Sequence, residues 1–96
     1  ELSILQNYIT PGETKEVPIY YNNTYEENIT VTIKIFDLRG NFIKEYDPIT
    51  LEPGITKIAE WYLKNKNEQE VAPGIYIIAS EDSKGNKARN MVIFVK

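Results

Sequence analysis

The sequence predicts an all-β fold, an antiparallel sandwich of about seven strands. Three observations predict it. Ile29–Asp37 alternates strictly, with Ile29, Val31, Ile33 and Ile35 on one side and Thr30, Thr32 and Lys34 on the other. That period of two marks a strand with one buried face. Turn signals built from Gly, Pro, Asn and Asp recur along the chain and cut it into short apolar pieces. No stretch carries a helical period.

Each element follows in order. Leu2–Ile9 is apolar without clean alternation and ends at Thr10-Pro11-Gly12. It reads as a first strand, at an edge or partly detached. Glu16–Asn22 places Val17, Ile19 and Tyr21 on one face. Pro18 cannot donate to a ladder, so this strand lies at an edge or leaves that position unpaired. Asn22–Asn28 is a polar loop, and Ile29–Asp37 is the central strand. Asp37-Leu38-Arg39-Gly40-Asn41 is a turn, and Asn41–Tyr46 completes a hairpin that Asp47-Pro48 ends. After Glu52-Pro53-Gly54, Ile55–Leu63 reads as a strand ending in Trp61. Lys64–Glu70 is wholly polar and reads as a loop. Ala72-Pro73-Gly74 leads into a strand over Ile75–Ser80. Asp82–Asn86 (DSKGN) is a hairpin tip, with Gly85 supplying positive φ. Ala88–Val95 closes the domain. No repeat and no low-complexity segment stands out. Ile33 and Ile35 are expected in the core, with Trp61 and Tyr76 largely buried.

Composition narrows the function. The 96 residues make one domain, long enough to bury a core without staples. With 11 Lys+Arg against 14 Asp+Glu, the net charge is −3, which gives no attraction to nucleic acid. Cys and His are absent, so disulfide and thiol chemistry are excluded. The longest uninterrupted apolar run, Met91–Val95, is too short for membrane insertion. Glu1-Leu2-Ser3 lacks a signal-peptide profile. Glu1 is therefore expected to be a processed or cut end of a domain from a longer chain.

Candidate chemistry is sparse. Ser3, Ser80 and Ser83 are the only serines, and no His can serve as their base. Ser83 and Lys84 are adjacent on a hairpin tip, so their side chains point apart into water. Glu26-Glu27, Glu45 with Asp47, and Glu81-Asp82 are carboxylate pairs without a cleft to separate their pKa values. DSKGN and Asn65–Glu70 offer oxygen ligands, but each lacks the carboxylate run of a calcium loop, and Lys66 and Lys84 oppose a cation. The expectation is no catalytic residue, no cofactor and no metal. Asn22-Asn23-Thr24 and Asn28-Ile29-Thr30 match the glycosylation pattern, at about chance level for so Asn- and Thr-rich a chain. Among the aromatics, Trp61 should cap the core. Tyr76, just after Pro73-Gly74, resembles the tyrosine at a sandwich corner whose hydroxyl bonds to backbone upstream. Tyr20, Tyr21 and Tyr25 cluster near one strand end and form a candidate binding patch.

Three blocks carry a resemblance. ITVTIKIFDLRGNFIKEY is similar to a "VxVxIYDLxGxxV" hairpin. The strand after Pro53-Gly54 ends in Trp61. EVAPGIYIIAS is similar to "xVAPGVYxxxL". The chain thus resembles the immunoglobulin-like domain of the flagellar hook-capping protein and the C-terminal sorting and anchoring domains of secreted bacterial proteins. The spacing from Trp61 to Ala72 equals that of the family's "WDGRDDNGxxVAPG" loop. Asn7–Tyr21 and Asn90–Lys96 resemble the sorting domains' two ends more loosely. Two departures stand out. Tyr62-Leu63 replaces the family's Asp-Gly, and Glu68 replaces its second Gly. These leave the tight turn and its Asp-mediated hydrogen bonds without their usual residues.

The resemblance implies an immunoglobulin-like or fibronectin-III-like sandwich with Asp37, Gly40, Trp61, Pro73, Gly74 and Tyr76 as its structural motif. It also implies a non-catalytic spacer, anchor or assembly module, extracellular or at the cell surface. Its expected partners are other domains of a parent chain or proteins of a surface assembly, with self-association compatible. Terminal strands are the expected docking edges, since Leu2–Ile9 and Met91–Val95 lack protecting charge. The candidate interaction surface is Leu5, Asn7, Ile9, Tyr20, Tyr25, Val92 and Phe94. A looser resemblance to a bacterial intracellular proteinase inhibitor with a "pGxY" strand gives the alternative. In it, a stand-alone inhibitor-like or carbohydrate-binding sandwich presents Lys64–Glu70 to its target.

Overall fold

The structure, a computed structural model, describes residues 1–4, 8–9 and 16–95. Among them are nine strands and no helix: β1 (Leu2–Ile4), β2 (Tyr8–Ile9), β3 (Val17–Asn23), β4 (Ile29–Asp37), β5 (Phe42–Glu45), β6 (Ile49–Leu51), β7 (Gly54–Trp61), β8 (Gly74–Asp82) and β9 (Lys87–Phe94). One sheet has the order β1-β3-β7. The other runs β2-β9-β8-β4-β5, with β6 also on β4. The predicted all-β sandwich is the observed architecture.

β4 organises the larger sheet. It pairs with β8 from Val31↔Asp82 to Asp37↔Tyr76. Its other edge is shared by β6 at Ile29–Val31 and β5 at Lys34–Phe36. Alternation sets the core. Ile29, Val31, Ile33 and Ile35, with Tyr76, Ile78 and Val92 of the same sheet, face Val17, Ile19, Tyr21 and Trp61 of the other layer, all buried. Trp61 and Tyr76 meet edge-to-face at 5.3 Å. The Trp61 indole N–H donates to the Lys64 carbonyl at 2.8 Å, and the Tyr76 hydroxyl donates to the Ala72 carbonyl four residues upstream. Both aromatics thereby bury their rings without stranding a polar atom.

The first strand needs one correction, and its edge position holds. The first predicted strand, Leu2–Ile9, is two strands in different sheets. β1 pairs antiparallel with β3, and β2 pairs parallel with β9. A segment serving both sheets need not keep one alternation, which accounts for its irregular pattern. Of the two alternatives for Glu16–Asn22, an edge or an unpaired Pro18, the second fits: β3 lies between β1 and β7, and the described β1 register runs from Tyr21 to Ile19 and stops short of Pro18. The edges of the small sheet are β1 and β7, and on β7 Ile55 is 74% exposed. The β7 ladder jumps from Ile19↔Ala59 to Tyr20↔Lys57, leaving Ile58 as a bulge.

Three turns are built alike. In DLRGN, Asp37 Oδ1 accepts from the amides of Arg39 (2.9 Å) and Asn41 (2.8 Å), and Asn41 Nδ2 donates to Asp37 Oδ2 at 3.0 Å. In DSKGN, Asp82 Oδ1 accepts from the amides of Lys84 (2.9 Å) and Asn86 (3.0 Å), and Asn86 Nδ2 donates to Asp82 Oδ2 at 3.1 Å. In Asn65–Gln69, Asn65 Oδ1 accepts from the amides of Asn67 (2.9 Å) and Gln69 (3.0 Å), and its Nδ2 donates to Gln69 Oε1 at 3.2 Å. The fourth residue has positive φ each time: Gly40 at 88°, Gly85 at 86° and Glu68 at 62°. This is a three-residue hairpin loop with its last residue left-handed.

The turn left without its usual residues is therefore present. Leu63 has φ 59° and Glu68 φ 62°. Two non-glycine residues adopt here the left-handed backbone that glycine ordinarily supplies. Asn65 provides the side-chain acceptor, and a bridge between Lys64 and Glu70 closes the loop into a miniature hairpin. Leu63 repays its strained φ by burial, at 2% exposure.

The strands also define two poles. Glu1 and Asn22 exchange backbone hydrogen bonds at one. The 82–86 turn stands at that same pole, since Tyr21 bonds to Asp82. β9 ends at the other, where Phe94 pairs with Gly74. The molecule measures 42 × 24 × 19 Å.

Candidate interaction face

The candidate residues scatter. Leu5 and Asn7 lie outside the described residues. The backbone of Ile9 pairs with Phe94. Val92 is fully buried, so its place in an interaction surface is a correction: it belongs to the core. Phe94 is half-buried and packs against that core. β9 pairs with β8 along its whole length, and on its other side β2 covers Ile93 and Phe94. The outer side of Lys87–Val92 has no paired strand among the described residues.

The tyrosine cluster separates into three roles. Tyr21 is buried, and its hydroxyl donates to Asp82 Oδ2 at 2.9 Å. Burial, and then this bond, push the Tyr21 pKa up to about 12. Tyr25 is an exposed loop residue that clamps the 82–86 turn. Its hydroxyl accepts from Asn86 Nδ2 at 2.9 Å, and Lys84 Nζ lies 5.3 Å from its ring centre. Tyr20 is half-buried on the outer face of the small sheet, opposite Lys57.

Titratable groups at this pole serve the fold. Burial of Asp82 opposes its charge. Amide and side-chain bonds from Asn86, with those from Tyr21 and Lys84, outweigh that and hold its pKa below the usual carboxylate value. Lys84 pairs with Glu27, and its pKa rises chiefly through that bond. A rise is the opposite of what a lysine base requires. Ser83 Oγ accepts from the Thr30 amide at 3.1 Å. Glu81 points outward while Asp82 is buried, so that adjacent pair is divided between two faces. At the opposite pole, Asp37 is also held low, first by the Asn41 side chain.

The feature that sequence reasoning missed is the outer face of the large sheet. Phe42, Phe36, Ile77 and Met91 stand in register across four strands: Phe36↔Phe42, Phe36↔Ile77 and Ile77↔Met91. The two phenylalanine rings meet edge-to-face at 6.1 Å. Phe42 is 43% exposed and Met91 50%, while Phe36 and Ile77 are half-buried between them. Ile75 and Ile93 extend the row by a second pair. The next row outward is Glu45, Lys34, Ala79 and Arg89, and beside it lies a broad depression walled in part by Pro48 and Glu81. The signal was present in the apolar runs Ile75–Ala79 and Met91–Val95. Strands apolar on both faces are ordinarily covered on both.

Comparison with known proteins bears on the fold. No family model matches the chain, and no curated protein matches it. Among solved structures, the chain is similar to one described as PorZ, an essential bacterial surface component of the type-IX secretion system of Porphyromonas gingivalis. The TM-score is 0.65 at 16% identity. The likeness covers 99% of this chain and 11% of that one. At that identity the shared property is the sandwich itself.

Proposed function

We propose that this chain is a non-catalytic β-sandwich module of a secreted or cell-surface protein, acting as a spacer and assembly domain. One observation carries the reading: the first strand enters at one pole of a 42 Å body and the last leaves at the other. That arrangement suits a module strung in series. The solved neighbour, in which a stretch like this one fills about a tenth of a surface protein, supports the setting. Asp37, Asn65 and Asp82 are each engaged in holding a turn. The inhibitor-like alternative draws on the 65–69 turn, which is internally bonded and anchored where Lys66 N donates to the Ile43 carbonyl; a preorganised loop binds at low entropic cost.

The test is fractionation of source cells with an antibody raised against this domain. The expected result is signal at the surface or in the medium, removed from intact cells by added protease. A signal confined to the cytoplasm refutes the reading, as does turnover of peptide, ester or glycoside substrates by the purified chain.

A further inference from the structure

We infer that the apolar row on the outer face of the large sheet docks against another folded domain, whose apolar contact patch is rimmed by Asp and Glu. The inference rests on the assembly-module reading and names the kind of partner. An antiparallel strand with one face in water alternates apolar and polar. β4 does so through Lys34, then places Phe36 outward. β8 presents Ile75 and Ile77 outward while Tyr76 and Ile78 fill the core. β9 adds Met91 and Ile93 beside them. The outcome is a contiguous in-register patch, not scattered exposure, and contiguity is what marks a contact surface.

Charge identifies the partner. Lys44, Lys57 and Lys84 are paired with Glu68, Glu60 and Glu27. Lys34 and Arg89, which border the row, form no ion pair among the described residues. Glu45 sits opposite Lys34 across the ladder without closing one. Lys66 places its Nζ 5.7 Å from the centre of the Phe42 ring, at the end of the row. A chain of net charge −3 thus leaves three cations available around its apolar patch. Acidic groups on a partner would be steered to that rim and would fix its register. A second copy of this chain, which would have Glu45 and Glu81 to set against Lys34 and Arg89, is the competing occupant that the test distinguishes.

The experiment places a photo-crosslinking phenylalanine analogue at Phe42 or Met91 in the full parent chain, in source cells. Ile55 on the opposite face, 74% exposed, is the control site. Both test positions are half-exposed, and circular dichroism confirms that each variant folds. Adducts are sequenced by mass spectrometry. The expected result is one partner segment, containing Asp or Glu beside apolar residues, captured from both Phe42 and Met91. Its yield should fall about tenfold in the Lys34→Glu/Arg89→Glu background, as loss of rim complementarity slows association. Lys57→Glu should leave the yield unchanged. The inference is overturned by no adduct, by capture of a second copy, by equal capture from Ile55, or by a yield indifferent to charge reversal. Fractionation reads the setting and crosslinking reads the face, so failure of one is distinguishable from failure of the other.

Discussion

The twin turns DLRGN and DSKGN permit a matched measurement of what burial adds to one hydrogen-bond network. Their side-chain bonds agree within about 0.2 Å. They differ in surroundings. Asp82 is 6% exposed and also accepts from the buried Tyr21 hydroxyl, whereas the bonds of Asp37 lie in solvent. Asp37→Ala frees two amides that water can reach. Asp82→Ala frees the same two amides and strands a hydroxyl in the interior. Loss of a turn acceptor of this kind resembles loss of a helix cap, about 1 kcal/mol. A buried donor left unsatisfied costs about 1–3 kcal/mol. Asp82→Ala should therefore cost about 2–4 kcal/mol in total, and Asp37→Ala about 1 kcal/mol, half of that or less. Tyr21→Phe, which removes the donor, should recover part of the Asp82→Ala loss in the double variant. Urea unfolding followed by the fluorescence of Trp61, the one tryptophan, gives all four values. Equal losses for the two aspartates, or no recovery in the double variant, would refute the argument.

Other outcomes follow from single features. Glu68→Asn should stabilise by about 0.5–1 kcal/mol in thermal melts, because Asn tolerates the left-handed backbone and the exposed Lys44 pair it sacrifices is weak. Between pH 10 and 12 stability should fall with rising pH. Folding holds the proton on Tyr21, and burial does the same for Tyr46, which is also pushed up to about 12, so the unfolded chain loses both first. Tyr21→Phe should flatten that slope, as read by urea midpoints across the range. Ile33→Ala should lower stability by about 2–5 kcal/mol, since Ile33 is 2% exposed; an unchanged urea midpoint would mean the β4 register is wrong.

Much of the fold was legible because alternation and turn residues are local. Ile29–Asp37 could be read as a strand from its own residues, and β4 has those bounds. What was not legible depended on pairing. Val92 and Phe94 were assigned to the surface, but register with β8 turns them inward and sends Met91 and Ile93 out. A shift of one residue exchanges the faces, and an apolar run hides which face is which. The split of Leu2–Ile9 between sheets rests on a two-residue parallel pairing that leaves no pattern. The third turn was concealed because Glu68 and Leu63 occupy positions where glycine would have announced it. The recurrence of Asp, Gly and Asn at the same spacing in DLRGN and DSKGN was readable, and it extends to Asn65–Gln69 only once the hydrogen bonds are seen.

The same pairing decides how this domain can be held. Strand addition needs a length of free backbone. β9 has β8 and β2 on its two sides, and β1 is three residues long. β5 already receives Lys66 N at the Ile43 carbonyl. β7 is long enough, but Ile58 bulges out of its ladder, and Lys57 and Glu60 pair along it at 2.6 Å. Bulges and charges are how open edges are kept from pairing. Among the described residues the free edges are thus short or blunted, apart from the outer side of Lys87–Val92, while side chains on the large sheet remain open. Contact made there has its affinity from Phe42, Phe36, Ile77 and Met91 and its selectivity from Lys34 and Arg89. It should weaken with salt, since the rim is exposed and within reach of screening ions.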